Sequence, residues 1–169
     1  MQENHGGTNF QPPSFDQERG LFFVTAHETC AIWTPMKPTT PVKLGARVPS
    51  GGRKLVEGRD QYSVLRAIDP RTGERRWEHR YRPYPSTVSL DLTGGIMSTG
   101  SGLVFTGDND GYFQAFDAAT GKRLWRFQTG APIWGSAPMT YLLDGRQWVV
   151  TTSGLSLVAF ALPAATDPQ

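Results

Sequence analysis

Ala67-Ile68-Asp69-Pro70-Arg71-Thr72-Gly73-Glu74-Arg75-Arg76-Trp77 and Ala115-Phe116-Asp117-Ala118-Ala119-Thr120-Gly121-Lys122-Arg123-Leu124-Trp125 are two copies of one pattern, spaced 48 residues apart. In each copy Asp-x-x-Thr-Gly reads as a chain reversal between two strands, because Asp and Thr side chains bond nearby backbone and Gly supplies a positive φ. Beyond the first turn Arg75, Trp77, His79 and Tyr81 alternate with Glu74, Arg76, Glu78 and Arg80, the period of a half-buried strand. In the second copy Trp125 and Phe127 share a face. Both tryptophans are read as core, wide rings that fill the gap where one sheet packs on the next. A self-similar unit at this period predicts stacked sheets, the blades of a β-propeller.

The rest of the chain agrees with an all-β reading, since no segment sustains a helical period. After a polar, Gly- and Pro-rich start, Gly20-Leu21-Phe22-Phe23-Val24-Thr25 forms an apolar strand, and Gly102-Leu103-Val104-Phe105-Thr106 repeats its logic. Tyr62 to Ile68 and Glu74 to Tyr81 pair around the first repeat turn, and Tyr112 to Phe116 leads into the second. Asp144-Gly145 joins Thr140–Leu143 to Gln147–Thr152 as a hairpin, and Ser153-Gly154 turns that strand into Leu155–Leu162. Residues 1–163 thus read as one partial propeller, with a long loop inserted at about 34–58 and a disordered tail at 164–169. A length of 169 residues holds about three blades. Three blades leave bare edges and faces, so the chain reads as a piece of something larger.

Composition excludes several function classes. Acids and bases are interspersed around a net charge of +2, which argues against a nucleic-acid partner. The longest apolar stretch, Leu155 to Pro163, is too short to span a bilayer. The first residues lack the basic start and apolar core of a secretion signal, so the chain is either cytosolic or lacks its true N-terminus. Cys30 is the only cysteine, which rules out an internal disulfide. No Gly-x-Ser-x-Gly nucleophile motif is present. Ser50-Gly51-Gly52-Arg53-Lys54 lacks the ending and following helix of a phosphate loop. His27 and Cys30 lack the second pair that zinc requires. Asp108-Asn109-Asp110-Gly111 begins like a calcium loop but places its Gly at the wrong offset, and reads as a hairpin turn. A Cys-x-x-Cys-His haem motif is absent.

From Gly6 to Pro163 the ordered motifs resemble the C-terminal part of the pyrroloquinoline quinone (PQQ) dependent alcohol dehydrogenases, the methanol and ethanol dehydrogenase family. The markers are Gly7-Thr8-Asn9-Phe10-Gln11-Pro12-Pro13, Thr93-Gly94-Gly95, Thr99-Gly100, Gly102 to Gly107, Asp110-Gly111, the two tryptophan-docking segments, and Pro138-Met139-Thr140-Tyr141 with Asp144-Gly145-Arg146-Gln147. The resemblance implies an eight-bladed propeller with PQQ on the axis beside calcium or a lanthanide. It further implies a flanking Trp and a disulfide of adjacent cysteines, an upstream Asp base, and hydride passing from the alcohol to the quinone. The Asp, the cysteine pair and the metal ligands lie outside this chain.

Residue by residue, the resemblance assigns Asn9 to the quinone, with Phe10 in place of the family's Trp. Thr93 stands where many members have Trp, and Ser153 and Gly154 fall where the last strands approach the cofactor. Trp134 is assigned to a blade seam, with the axis as its alternative. Implied partners are the remaining N-terminal blades, a small alcohol and a cytochrome c acceptor, in the periplasm, with the isolated segment inactive. Two readings compete. One is a non-catalytic propeller scaffold of the outer-membrane assembly type. The other is a degenerate gene fragment.

Overall fold

The computed structural model describes residues 7–35, 44–45, 51–56, 62–81 and 93–163. Among these are thirteen strands and no helix. The first four-stranded sheet has the order β1 (Ser14–Asp16), β2 (Leu21–Glu28), β5 (Tyr62–Ile68), β6 (Arg75–Arg80). The second runs β7 (Ile96–Ser98), β8 (Leu103–Gly107), β9 (Tyr112–Asp117), β10 (Arg123–Gln128). The third holds β11 (Met139–Leu143), β12 (Arg146–Ser153) and β13 (Ser156–Ala161). Every pairing is antiparallel between chain neighbours, apart from β2 with β5, which spans the inserted segment.

Within that insert β3 (Ala31–Thr34) pairs with β4 (Gly52–Leu55) as a two-stranded ribbon. The sequence reading assigned 34–58 to loop, and β4 escaped it because Gly-Arg-Lys-Leu carries no apolar alternation. The start strands β1 and β7, three residues each, were missed as well; such short strands show no period. The tail at 164–169 lies outside the described residues.

The repeat turns work as their residues dictate. Asp69 Oδ1 accepts from Arg71 N at 3.0 Å, and its carbonyl accepts from Gly73 N at 2.8 Å. Asp117 Oδ1 accepts from the amide of Thr120 at 2.8 Å and its hydroxyl at 2.7 Å. Gly73 and Gly121 close these turns at φ +75° and +71°, a region that costs glycine little. Hydrogen bonds from Arg71, and from Thr120, hold the two carboxyls below the usual aspartate range.

Sheets meet through two seams. In the first, Leu21, Phe23, Leu65, Ala67 and Tyr81 bury against Ile96, Val104, Phe116 and Ala118. Trp77 wedges its edge of this seam, its ring centroid 5.7 Å from Phe23 and its indole N–H donating to Ala118 O at 2.9 Å. A Cβ on Gly121 would stand 2.6 Å from the Trp77 ring, so the second repeat turn is the floor on which the first repeat's tryptophan rests. In the second seam Phe160 packs against Phe113, Trp125 and Phe127 at centroid distances of 5.2 to 5.5 Å.

Trp125 departs from its expected burial and is 37% exposed. The third sheet explains this. Trp77 is capped by the turn that joins the third and fourth strands of the next sheet, and among the described residues the third sheet ends at its third strand.

His79 lies in the first seam, 4.7 Å from Phe116 and 5.7 Å from Tyr81 between ring centroids. Burial, with the charge of Arg123, holds its imidazole below the ordinary value. A depressed folded value means that the unfolded chain takes up the proton first as pH falls. The stability contributed by the neutral ring is therefore intact above the ordinary value of about 6.5 and is lost as pH falls through it to the lower folded value. Melting temperatures at about pH 7.5 and 5.5 are expected to differ more in the parent than in His79→Phe, which keeps a ring and removes the proton site. Equal slopes would show that His79 does not carry the effect.

Candidate functional site

Antiparallel pairing places the starts of β1, β7 and β11 and the ends of β2, β8 and β12 at one end of their sheets. Three connecting segments converge there. Gly95 N donates to Ser136 O at 2.7 Å, Ile96 N to Pro12 O at 2.9 Å, and Gly94 N to Gly107 O at 2.9 Å. A Cβ on Gly95 would stand 2.9 Å from both Pro12 Cδ and Ala137 Cα, so only glycine admits this approach. Just below, Ser14 Oγ meets Ser98 Oγ at 2.6 Å, tying the two short strands together.

Residues 129–133 thread between two turns of this end. Thr129 N donates to Gly111 O, Ile133 N to Asp108 O, and Gly154 N to Pro132 O, all at 2.9 to 3.0 Å. Asp108 serves the hairpin expected of it. Its carboxylate accepts from Tyr112 N and Gln114 Nε2, each at 2.8 Å, and burial pushes its pKa up.

The sequence-assigned residues fall into two groups. Asn9, Phe10 and Thr93 belong to the converging segments. Asn9 Oδ1 accepts from Phe10 N at 2.9 Å, which leaves the amide N–H2 to donate outward. Phe10 is 58% exposed, while Thr93 is 3% exposed and its Oγ1 has no hydrogen-bond partner among the described residues.

Ser153 and Gly154 serve the framework. The buried Ser153 Oγ lies 2.8 Å from Thr129 Oγ1 and 3.0 Å from Ala131 O. Gly154, with its amide already bound and φ at +55°, would bring a Cβ to 2.9 Å from that of Ala131. Their geometry clamps the 129–133 segment, and Thr152 beside them bonds Ser136 through the two hydroxyls.

Gln11 is added by the structure, and Trp134 changes place. Gln11, beside Pro12 and Pro13, is 6% exposed, and its Oε1 has no hydrogen-bond partner among the described residues. Trp134 does not fill the seam. Ile133, fully buried, does so against Gly107, and Trp134 turns outward, 51% exposed.

The connecting segments at this end carry no charge of their own, the nearest ionisable groups being His27 at the end of β2, whose amide donates to Gly7 O, and the acids of the 108–111 turn. Residues 7–13, 93–95, 130–138 and 152–155 contain no Asp, Glu, Lys, Arg or His. Among the described residues no three metal-ligating side chains come together. The donor set suits the uncharged, hydrogen-bonding edge of a planar ligand. Those segments hold no cation for the carboxylates of a molecule such as PQQ and no acid for a metal ion, and the nearby Asp108 carboxylate is already engaged by Tyr112 N and Gln114 Nε2.

Four-stranded antiparallel sheets splayed by tryptophans, with their start strands in contact, define the class: blades of a β-propeller of the quinoprotein dehydrogenase type. Residues 62–149 match the family model described as PQQ: Glucose/ethanol/alcohol dehydrogenase, beta-propeller domain. The chain belongs to this family.

Among its relatives is a quinoprotein ethanol dehydrogenase of Pseudomonas putida, 40% identical over 154 residues, covering 88% of this chain and 22% of the relative. The quinoprotein alcohol dehydrogenase PedH of Pseudomonas putida is 38% identical over 152 residues, with 88% and 24% covered. A europium-containing methanol dehydrogenase superposes with a TM-score of 0.75 at 32% identity, over 90% of this chain and 26% of that one. The chain thus spans about a quarter of the length of these proteins. No helix among the described residues is long and apolar enough to cross a membrane.

Proposed function

We propose that this chain supplies one neutral wall of the axial site of a PQQ-dependent alcohol dehydrogenase, active when combined with the blades that the relatives possess and this chain does not. The carrying observation is the convergence of Asn9, Phe10, Gln11 and Thr93 at one end of the sheets, with buried Oε1 and Oγ1 atoms on Gln11 and Thr93 that have no hydrogen-bond partner among the described residues. Buried polar atoms left unpaired are costly and mark places where a partner completes the structure. PQQ, when bound, accepts the hydride of the alcohol carbon, and the protein supplies binding and orientation.

The role of this wall is positional. The free N–H2 of Asn9 donates to an uncharged carbonyl, and Phe10 excludes water beside it. Ser153 and Gly154 hold the 129–133 segment so that the wall keeps its shape. Calcium or a lanthanide, and the cations facing the PQQ carboxylates, are assigned to residues outside this chain. An alcohol substrate, a cytochrome c acceptor and a periplasmic site complete the reading, on the strength of the family. By itself the chain is expected to be inactive.

Grafting supplies the test. Residues 7–163 replace the matching part of the Pseudomonas putida quinoprotein ethanol dehydrogenase, and quinone uptake is followed by absorbance. Asn9→Ala is expected to weaken uptake roughly tenfold, the loss of one good hydrogen bond to a bound group. Uptake unaltered by both Asn9→Ala and Thr93→Val would remove the wall from the quinone site. A graft that folds and binds a protein partner without quinone would favour the scaffold reading.

A further inference from the structure

We infer that Trp134, paired with Phe10, is a specificity-determining residue that contacts the alkyl part of the alcohol, a role that rests on the quinoprotein reading above. Ile133 is fully buried in the seam, so the side chain that follows it turns away from the core. Trp134 accordingly stands 51% exposed at the converging end. Phe10, 58% exposed, lies over Gly135, where a Cβ would be 3.4 Å from its ring edge. Phe10 thus stands over the residue that follows Trp134, and neither ring takes part in the aromatic packing of the seams.

Charge selects the ligand part that this pair meets. Segments 7–13, 93–95 and 130–138 carry no cation, and the turn bonded to Ile133 holds the acids Asp108 and Asp110, so these segments offer nothing to a carboxylate. An alkanol needs only apolar contact for its chain and a hydrogen bond for its hydroxyl. Two half-wet aromatic rings regain hydrophobic free energy when an alkyl chain covers them, and the exposed Asn9, adjacent to Phe10 in the chain, supplies a polar group. Longer alcohols reach the indole, whereas ethanol is too short to gain from it.

The experiment uses the graft described above, loaded with PQQ, and compares ethanol with 1-hexanol. Trp134→Ala is expected to take up quinone as the parent graft does, yet to lose roughly tenfold or more in kcat/KM for 1-hexanol relative to ethanol. That loss should reside in KM. Trp134→Phe, which retains a ring and guards against misfolding as the cause, should stay near the parent. An unchanged hexanol-to-ethanol ratio at full quinone occupancy overturns the proposal. So does a Trp134→Ala graft that loses quinone while keeping the ratio, since the ring would then face the cofactor. A parent graft that folds without taking up quinone overturns the reading beneath it, and the proposal with it.

Discussion

Replacing Trp77 by alanine is expected to lower the unfolding free energy by about 3 kcal/mol, whereas Trp125→Ala should cost about 1 to 2 kcal/mol. The two residues occupy the same position of the repeat, and a sequence-only account would give them equal weight. Trp77 packs on Phe23, donates to Ala118 O and rests on the Gly121 turn. Its removal leaves both a cavity and an unmatched carbonyl. Trp125 keeps Phe113 and Phe160 as edge-on neighbours and has one flank in water, so less area is lost. Urea denaturation of the two variants beside the parent measures the difference. Equal losses would show that the capping turn contributes little and that both rings are held by their own sheet.

Gly107→Ala is expected to destabilise the chain by about 2 to 3 kcal/mol, in the range of overpacked cores. A Cβ at this position would lie 2.2 Å from Ile133 Cγ2 and 2.5 Å from Ile133 Cβ, while Gly94 approaches the same residue from another side. Shortening Ile133 cannot relieve the clash, because its own Cβ is already too near. The backbone must shift, and Gly94 N, bonded to Gly107 O, carries Thr93 and Gly95 with it. In the graft Gly107→Ala should therefore weaken quinone uptake as well as lower the melting temperature. A stable Gly107→Ala variant with normal uptake would mean that the seam and the axial wall move independently.

These contrasts mark how far the residues alone reach. The Asp69 and Asp117 turns, their glycines and the alternation after each were readable because local hydrogen bonding and φ requirements leave their imprint within a few positions. The four-residue strand β4 and the three-residue starts β1 and β7 were not, since their pairing depends on partners distant in the chain. Asn9, Phe10 and Thr93 are proposed through resemblance alone, and the structure brings their segments to one end of the sheets. Gln11 stands in a marker segment, yet nothing local in that polar stretch signals that its side chain is buried without a partner among the described residues. For Trp134, its neighbour Ile133 decides the outcome, by taking the seam against a glycine whose missing side chain makes the room. Trp125 differs for a related reason, because among the described residues no turn of the third sheet covers that flank.

Every role proposed for this end of the sheets requires that it face a quinone. The most direct measurement is quinone uptake by the graft of residues 7–163 onto the remaining blades of the Pseudomonas putida quinoprotein ethanol dehydrogenase, followed by dye reduction with a primary alcohol. Stoichiometric PQQ uptake with alcohol-dependent reduction, both weakened by Asn9→Ala, is the predicted result. A folded graft that takes up no PQQ and reduces no dye would contradict it.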